Sequence, residues 1–247
     1  MRKIRVGILT LYYDNRNYGG QLQSYALQRT VSKLSLGGVE CSAEQISYVN
    51  NPPVFQQEKS AKISAVDTIR KVFLKIEKTA TGKSWRAKRK LITEQQLAFS
   101  ELIPHTSVVT SETIGALNSD FDVFLCGSDQ IWNPGCSSDM LLEFAEKGKG
   151  KISYASSLGQ EMTPPEHLRR LKESLKDFVA VSVRETCHKK LLEEVCNFHD
   201  VQLMPDPIFL LEVQEWEKLI DMKKRKPYIF LFMLGDDIRV RNECAKL

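Results

Sequence analysis

Residues 121–134, FDVFLCGSDQIWNP, set the tightest limits on what this chain can fold into. Phe121 to Cys126 is a short, mostly apolar run, the length of a strand buried on both faces of a parallel sheet. Gly127, Ser128, Asp129 and Gln130 then break it. A glycine at that point lets the backbone turn sharply and approach a ligand closely. Small polar side chains follow at the carboxyl end of the strand, where open α/β sheets bind ligands. Trp132, Asn133 and Pro134 add an aromatic wall and a stop. Taken alone, the stretch reads more simply as a strand and an ordinary turn; the rest of the chain changes the balance.

The same alternation recurs on both sides. Ile4 to Thr10 reads as a first strand, and the loop Leu11 to Gly20 ends in two glycines. Gln21 to Leu34 places Leu22, Tyr25, Ala26, Leu27, Val31 and Leu34 at helical spacing. Strand, glycine loop and helix open a βαβ unit, and the helix N-terminus suits an anion. An ordinary βα turn with a structural glycine is an equal reading. Neither G-x-G-x-x-G nor a P-loop occurs, so a dinucleotide or Walker-type site is not supported. Cys41 to Val49 reads as a second strand, closed by Asn51-Pro52-Pro53. Short helices are expected near Glu112 to Leu117 and over Asp139 to Ala145. Ile152 to Ala155 is the next strand, ended by Ser156-Ser157-Leu158-Gly159. A helix starts at Pro164-Pro165 and runs to about Asp177. Phe178 to Val183 is a strand followed directly by Arg184-Glu185 and a helix to about Val195. Val201 to Met204 is a short strand closed by Pro205-Asp206-Pro207, and Glu212 to Leu219 is helical. After the charged linker Lys223 to Lys226, Tyr228 to Leu234 starts a new strand. The fold class is therefore α/β: a Rossmann-like parallel sheet with helices on both faces.

Charge is unevenly placed. Glu58 to Lys90 carries eleven Lys or Arg against three acidic residues, a local charge of +8 in a chain of net charge +4, which leaves the remainder at about −4. That basic stretch falls in two helix candidates, Lys59 to Lys78 and Trp85 to Leu102, and interrupts the α/β alternation as an insertion over about residues 55–103. It reads first as a solvated, Lys-rich hairpin, and second as a patch for an acidic membrane surface or a polyanionic glycan. The net charge is too small to imply nucleic acid. Cysteines 41, 126, 136, 187, 196 and 244 contain no C-x-x-C pair, and read as free thiols in a reducing compartment. The N-terminal apolar run is too short for a signal peptide, and no run approaches the roughly 20 residues of a membrane span. A cytoplasmic protein of one large domain, or two small ones, is expected.

In a parallel sheet, the ends Asn17-Tyr18-Gly19-Gly20, Gly127-Ser128-Asp129-Gln130, Ser156-Ser157, Arg184-Glu185 and Asp206 share one edge. Arg184 is the cation of that set. A guanidinium there can hold a carboxylate or phosphate bidentately, or can close on Glu185 or Asp206. His188 lies one turn beyond Arg184 on the same helix face, within reach of a shared ligand or simply partly exposed. No two of the four histidines have zinc-ligand spacing, and no G-x-S-x-G elbow is present.

Five stretches in this order and spacing, GILT…NYGGQLQSYAL, DVFLCGSDQIWNP, ISYASSLG, VSVRE and DPIFLL, resemble the polysaccharide pyruvyl transferase family, from Val6 to about Gly235. The resemblance implies two Rossmann-like domains in a glycosyltransferase-B-like arrangement with the site between them. Residues 1–222 would be the N-terminal domain, and 223–247 the linker and first strand and helix of the second. It implies transfer of a pyruvyl group from phosphoenolpyruvate onto two hydroxyls of a sugar, free or lipid-linked, giving a cyclic ketal, with no cofactor beyond that donor. By resemblance Arg184 holds the donor anion, Asp129 is the candidate base, and Gly127-Ser128-Asp129 with the loop Asn17, Tyr18, Gly19, Gly20 and Gln21 shapes the floor. Gln130, Ser156, Ser157 and Asp206 complete the proposed substrate contacts. The family pattern continues into a second domain bearing a histidine motif that nothing before Leu247 matches, so the chain alone is expected to be inactive. The apolar run Tyr228 to Leu234 is expected to favour self-association. Two other classes remain open: a nucleotide-sugar-dependent glycosyltransferase, and a non-catalytic module that binds glycan or membrane through the basic insertion.

Overall fold

The computed structural model describes residues 2–13, 17–49, 94–160, 162–219 and 243. Strands and helices follow in the order β1 (Arg2–Leu9), α1 (Tyr18–Ser32), β2 (Ser35–Leu36), β3 (Val39–Gln45), β4 (Val123–Cys126), β5 (Gly150–Ser153), α2 (Pro165–Leu175), β6 (Val181–Val183), α3 (Thr186–Glu194), β7 (Val201–Leu203) and α4 (Val213–Glu217). Residues 94–100 are also helical. The basic insertion lies largely outside the described residues, as does the run Tyr228 to Leu234.

β1 pairs in parallel with β3 on one side and β4 on the other, and β5 extends the sheet beyond β4. β6 and β7 pair in parallel, and single parallel bridges at Ile152–Ala180 and Ser156–Val183 join β6 to the edge of β5. The order across the molecule is β2-β3-β1-β4-β5-β6-β7, with β2 the antiparallel member among the described strands. From β1 the chain builds outward first through β3, then returns to the other side and continues through β4 to β7. The order thus reverses between β1 and β4, and such switch points open a crevice beyond the carboxyl ends of the strands.

Side-chain alternation along β4 explains its unbroken apolar run. Val123 and Leu125 face the layer of Val6, Ile8, Leu27, Val31 and Ala43 beneath α1. Phe124 and Cys126 face the opposite layer, which includes Trp132, Leu171, Leu175 and Leu192 from α2 and α3. Helices therefore cover both faces, as periodicity predicts. The described chain divides into two compact units, residues 1–211 and 212–247, and the second is represented by α4 and residue 243.

Several local expectations shift. α1 ends at Ser32 instead of Leu34, because Gly37 and Gly38 take positive φ values of 58° and 79° and turn β2 back onto β3 as a tight hairpin. Leu34 and Leu22, read as helix-face residues, are exposed at 53% and 36%. Gln21, Gln23, Ser24 and Gln28 are buried instead, each with hydrogen bonds that hydropathy cannot reveal. β5 begins at Gly150 and ends at Ser153, two residues earlier than its apolar pattern suggests. The short helices near 114 and 138 are 3-10 turns, Ile114–Ser119 and Ser138–Leu141.

Candidate functional site

The ends of β4, β5 and β6 lie side by side. Beyond β4 the backbone continues past Gly127, and Asp129 bridges Ser156, with Ser157 N–H donating to Asp129 O at 3.0 Å. Ser156 in turn bridges Val183, and its N–H donates to Ser182 O at 3.1 Å. Sequence segments about thirty residues apart are thereby placed on adjacent backbone ladders. Gly127 has φ of +111°, and a Cβ there would overlap Tyr154 O and sit 2.7 Å from Ser156 Oγ, so no other residue fits without displacement. Asp129 and Ala155 also take positive φ, 81° and 47°. Non-glycine residues held in that region cluster at functional sites because the surrounding structure must enforce them.

Four charged groups, Asp129, Arg184, Glu185 and Asp206, converge here. Arg184 Nη1 donates to Asp206 Oδ2 at 3.0 Å and its Nε to Glu185 Oε1 at 3.1 Å. Asp206 is itself fixed, because its Oδ1 accepts the Ile208 N–H at 3.1 Å and caps the 3-10 turn Pro207–Leu210. Burial raises the Asp129 pKa above the ordinary carboxylate value; the Gln130 N–H at 2.8 Å and the Arg184 charge oppose the rise, while Asp206 adds to it. Burial works against the Arg184 charge, but the Glu185 and Asp206 carboxylates outweigh it and the guanidinium pKa rises. The Arg184 and Asp206 side chains keep 29% and 22% of their surface open to solvent, so an incoming anion can reach the pair.

The remaining predicted residues divide into two groups. Asn17 caps α1, its Oδ1 accepting the Gly19 N–H at 2.9 Å, and Tyr18 and Gly19 are exposed at that helix end while Gly20 is buried. The exposed Gln130 side chain packs over Gly159, where a Cβ would meet its Cδ at 2.7 Å. Others are turned inward. Gln21 Nε2 reaches Ser100 Oγ at 2.9 Å, Ser156 Oγ donates to Cys126 O at 3.3 Å, and Ser157 Oγ accepts the Gly159 N–H at 3.0 Å. Ser128 is fully buried, and its Oγ has no partner among the described residues. His188 is buried as well, between Glu185 Oε2 at 2.8 Å and Gln160 O at 3.2 Å. It therefore holds Glu185 from behind Arg184 and is not partly exposed.

Two further residues belong here that hydropathy did not single out. Tyr154 has a buried hydroxyl without a partner among the described residues, and burial, then the Asp206 charge, raise its pKa. Gln23 joins α1 to the turn after β4 by accepting the Ser128 N–H. The signals available were a phenol inside a strand-end motif and a glutamine one helical turn after a glycine pair. Neither is decisive in isolation. Burial pushes the Cys126 thiol up to about 12, so it stays protonated and unreactive.

A cavity of about 320 Å³ is lined by Trp132, Asn133, Ser137, His167 and Arg170, among others. A larger one of about 710 Å³ lies at Lys3 and Arg5 of β1, Ser42 and Glu44 of β3, and Asp120. Neither is lined by Asp129, Arg184 or Asp206. Among the described residues no three His, Cys, Asp or Glu side chains gather as metal ligands, and no helix is long and apolar enough to cross a membrane.

The family model for polysaccharide pyruvyl transferase matches residues 17–243. The chain belongs to the polysaccharide pyruvyl transferase family. No curated protein and no solved structure matches it. In this pyruvyl transferase family member, the matched span opens at Asn17, the cap of α1, and contains the turn after β4, the Ser156-Ser157 strand end, Arg184 and Asp206.

Proposed function

We propose that this chain takes part in transferring the pyruvyl group of phosphoenolpyruvate to two hydroxyls of a sugar, free or lipid-linked, in polysaccharide synthesis, its share being the edge that holds the donor. The observation that carries the reading is the convergence of Asp129, Arg184 and Asp206 at the carboxyl edge of a parallel sheet, in a chain matched to this family over residues 17–243. Phosphoenolpyruvate brings a carboxylate and a phosphate. Arg184 takes one of these anions in place of the Asp206 carboxylate, with the planar fork that suits such groups. The first turn of α1, headed by Asn17, supplies the positive end of a 15-residue helix. Asp129 accepts the proton of the attacking hydroxyl, and its burial makes it a stronger base than a solvated aspartate.

The first hydroxyl adds to the enol carbon while the methylene gains a proton. The second hydroxyl then displaces phosphate from the same carbon. Two C–O bonds to the sugar form, the C–O bond to phosphate breaks, and the two hydroxyl protons end on the new methyl group and on phosphate. No oxidant or reductant is needed.

Ligand-dependent melting tests the reading, because a compound that binds the folded state raises Tm. Phosphoenolpyruvate is expected to raise Tm, by an amount equivalent to about 2.7 kcal/mol at a hundredfold excess over its Kd. Arg184→Lys keeps the charge without the fork and should weaken donor binding by roughly 1–3 kcal/mol. A shift produced by nucleotide sugars and not by phosphoenolpyruvate, or undiminished donor affinity in Arg184→Ala, would overturn the assignment.

A further inference from the structure

Beside the apolar layer of Val6, Ile8, Leu27 and Val31, the packing of the first turns of α1 on the ends of β1 and β3 is polar. Thr10 Oγ1 contacts Ser24 Oγ at 2.8 Å and donates to Gln45 Oε1 at 3.0 Å, while Gln45 Nε2 donates to Ser24 O at 2.9 Å. Ser24 Oγ reaches Gly20 O at 2.7 Å. Gln23 closes this network toward the site. Its Nε2 donates to Gly20 O at 3.0 Å and to Ser24 Oγ at 2.8 Å, and its Oε1 accepts the Ser128 N–H at 3.2 Å. The reverse amide orientation would set NH₂ against the Ser128 N–H and oxygen against Gly20 O, so the partners fix the flip.

We propose that Gln23 is a positioning residue of the site: its amide bridges the first turn of α1 to the Gly127–Ser128–Asp129 turn and so sets where the Asp129 carboxyl points. The bridge lies beyond the carboxyl ends of β1 and β4, where the order of the described strands reverses. Gln23 is 2% exposed and Ser128 0%, so water does not replace the bond if it is lost. Asp129 follows directly, and its Oδ1 accepts the Gln130 N–H, so the carboxyl is tied to the backbone of the turn whose entry Gln23 holds. Only an amide offers an acceptor for the Ser128 N–H and donors for Gly20 O and Ser24 on a single planar group. The proposal rests on the reading of Asp129 as the base of the transfer, and its test separates the two.

Gln23→Met removes the bridge at similar volume. Gln28→Met is the matched control, since the Gln28 amide bonds Ala43 O and Ser32 Oγ further along α1. In isotopically labelled protein, Gln23→Met is expected to speed exchange of the Ser128 amide by about tenfold or more and to move the Asp129 carboxyl titration; Gln28→Met does neither. Acceptor-dependent phosphate release should show kcat lowered by about tenfold in Gln23→Met with the phosphoenolpyruvate KM nearly unchanged. Unaltered Ser128 exchange and Asp129 titration in Gln23→Met, or an unaltered kcat in an active enzyme, overturns the proposal. If phosphoenolpyruvate does not raise the Tm of the wild-type chain, the transfer reading loses its support, while exchange and titration still decide the positioning role. If Gln23→Met does not fold, the wild-type chain decides: a nuclear Overhauser contact between the Ser128 amide proton and the Gln23 side-chain amide supports the bridge, and its absence refutes it.

Discussion

Gly127 carries two constraints at once, a backbone conformation rare for L-residues and no room for a Cβ beside Tyr154 O. Gly127→Ala should therefore destabilise the protein by roughly 2–4 kcal/mol, combining strain and overlap, as read by urea unfolding. A variant within experimental error of wild type would mean that the turn relaxes freely and is not a rigid floor. Asp129 carries the opposite kind of tension. Its folded pKa lies above the unfolded value, chiefly through burial. As pH rises through the window between the two values, the unfolded chain gives up its proton first, so this group lowers stability above that window and costs nothing below it. Asp129→Asn should thus raise Tm at neutral pH, with the gain fading as pH falls through the raised folded pKa and gone below the unfolded aspartate pKa of about 3.9, while abolishing any phosphate release. A gain that is the same at pH 3 and pH 7 would place the effect elsewhere than in the carboxyl charge.

At the scale of elements, α2 is held to the segment after the 3-10 turn Ser138–Leu141 by a forked ion pair. Arg170 Nε and Nη2 donate to the two Glu143 oxygens at 2.8 and 2.6 Å, and Ser174 Oγ adds a third bond at 2.9 Å. The Arg170 hydrogen bonds hold the Glu143 pKa below its ordinary value. The stability this pair contributes is present above the unfolded glutamate pKa and is lost as pH falls through the lowered folded value. Both side chains are partly exposed, so Arg170→Ala should cost only about 0.5–1 kcal/mol, and less in high salt. Denaturant midpoints measured at two ionic strengths would check this; a loss independent of salt would point to packing by the arginine stem instead. α1 behaves differently. It is buried around much of its circumference, and it meets the sheet through glutamine and serine bonds as well as through Leu27 and Val31.

At the scale of the molecule, the two apolar layers draw their members from residues 4–210. A chain ending at Leu211 should therefore fold cooperatively on its own, with dispersed amide resonances and a single thermal transition. A molten or aggregated product would show that the sheet needs residues 212–247 to close its core. The same layout places the site: parallel strands deliver their carboxyl ends to one edge, and the reversal between β1 and β4 opens that edge where Ser128 and Gln23 meet.

The α/β class, the buried β4 run and helices on both faces were legible in the chain itself, because apolar periodicity reports which faces must leave water. The carboxyl-edge grouping of Asp129, Ser156, Arg184 and Asp206 followed from parallel connectivity, which short glycine and proline punctuation implies. Residue chemistry left Arg184 with two readings, an anion clamp or a partner for Glu185 and Asp206, and the structure shows the ion pairs formed. Tertiary structure alone decided what depends on partners distant in sequence. The exposure of Leu22 and Leu34, the burial of Gln21, Gln23 and Gln28, and the enclosure of His188 all run against hydropathy. A polar side chain is stable inside whenever its hydrogen bonds are met there, and no local pattern records a partner such as Ser128, 105 residues away from Gln23.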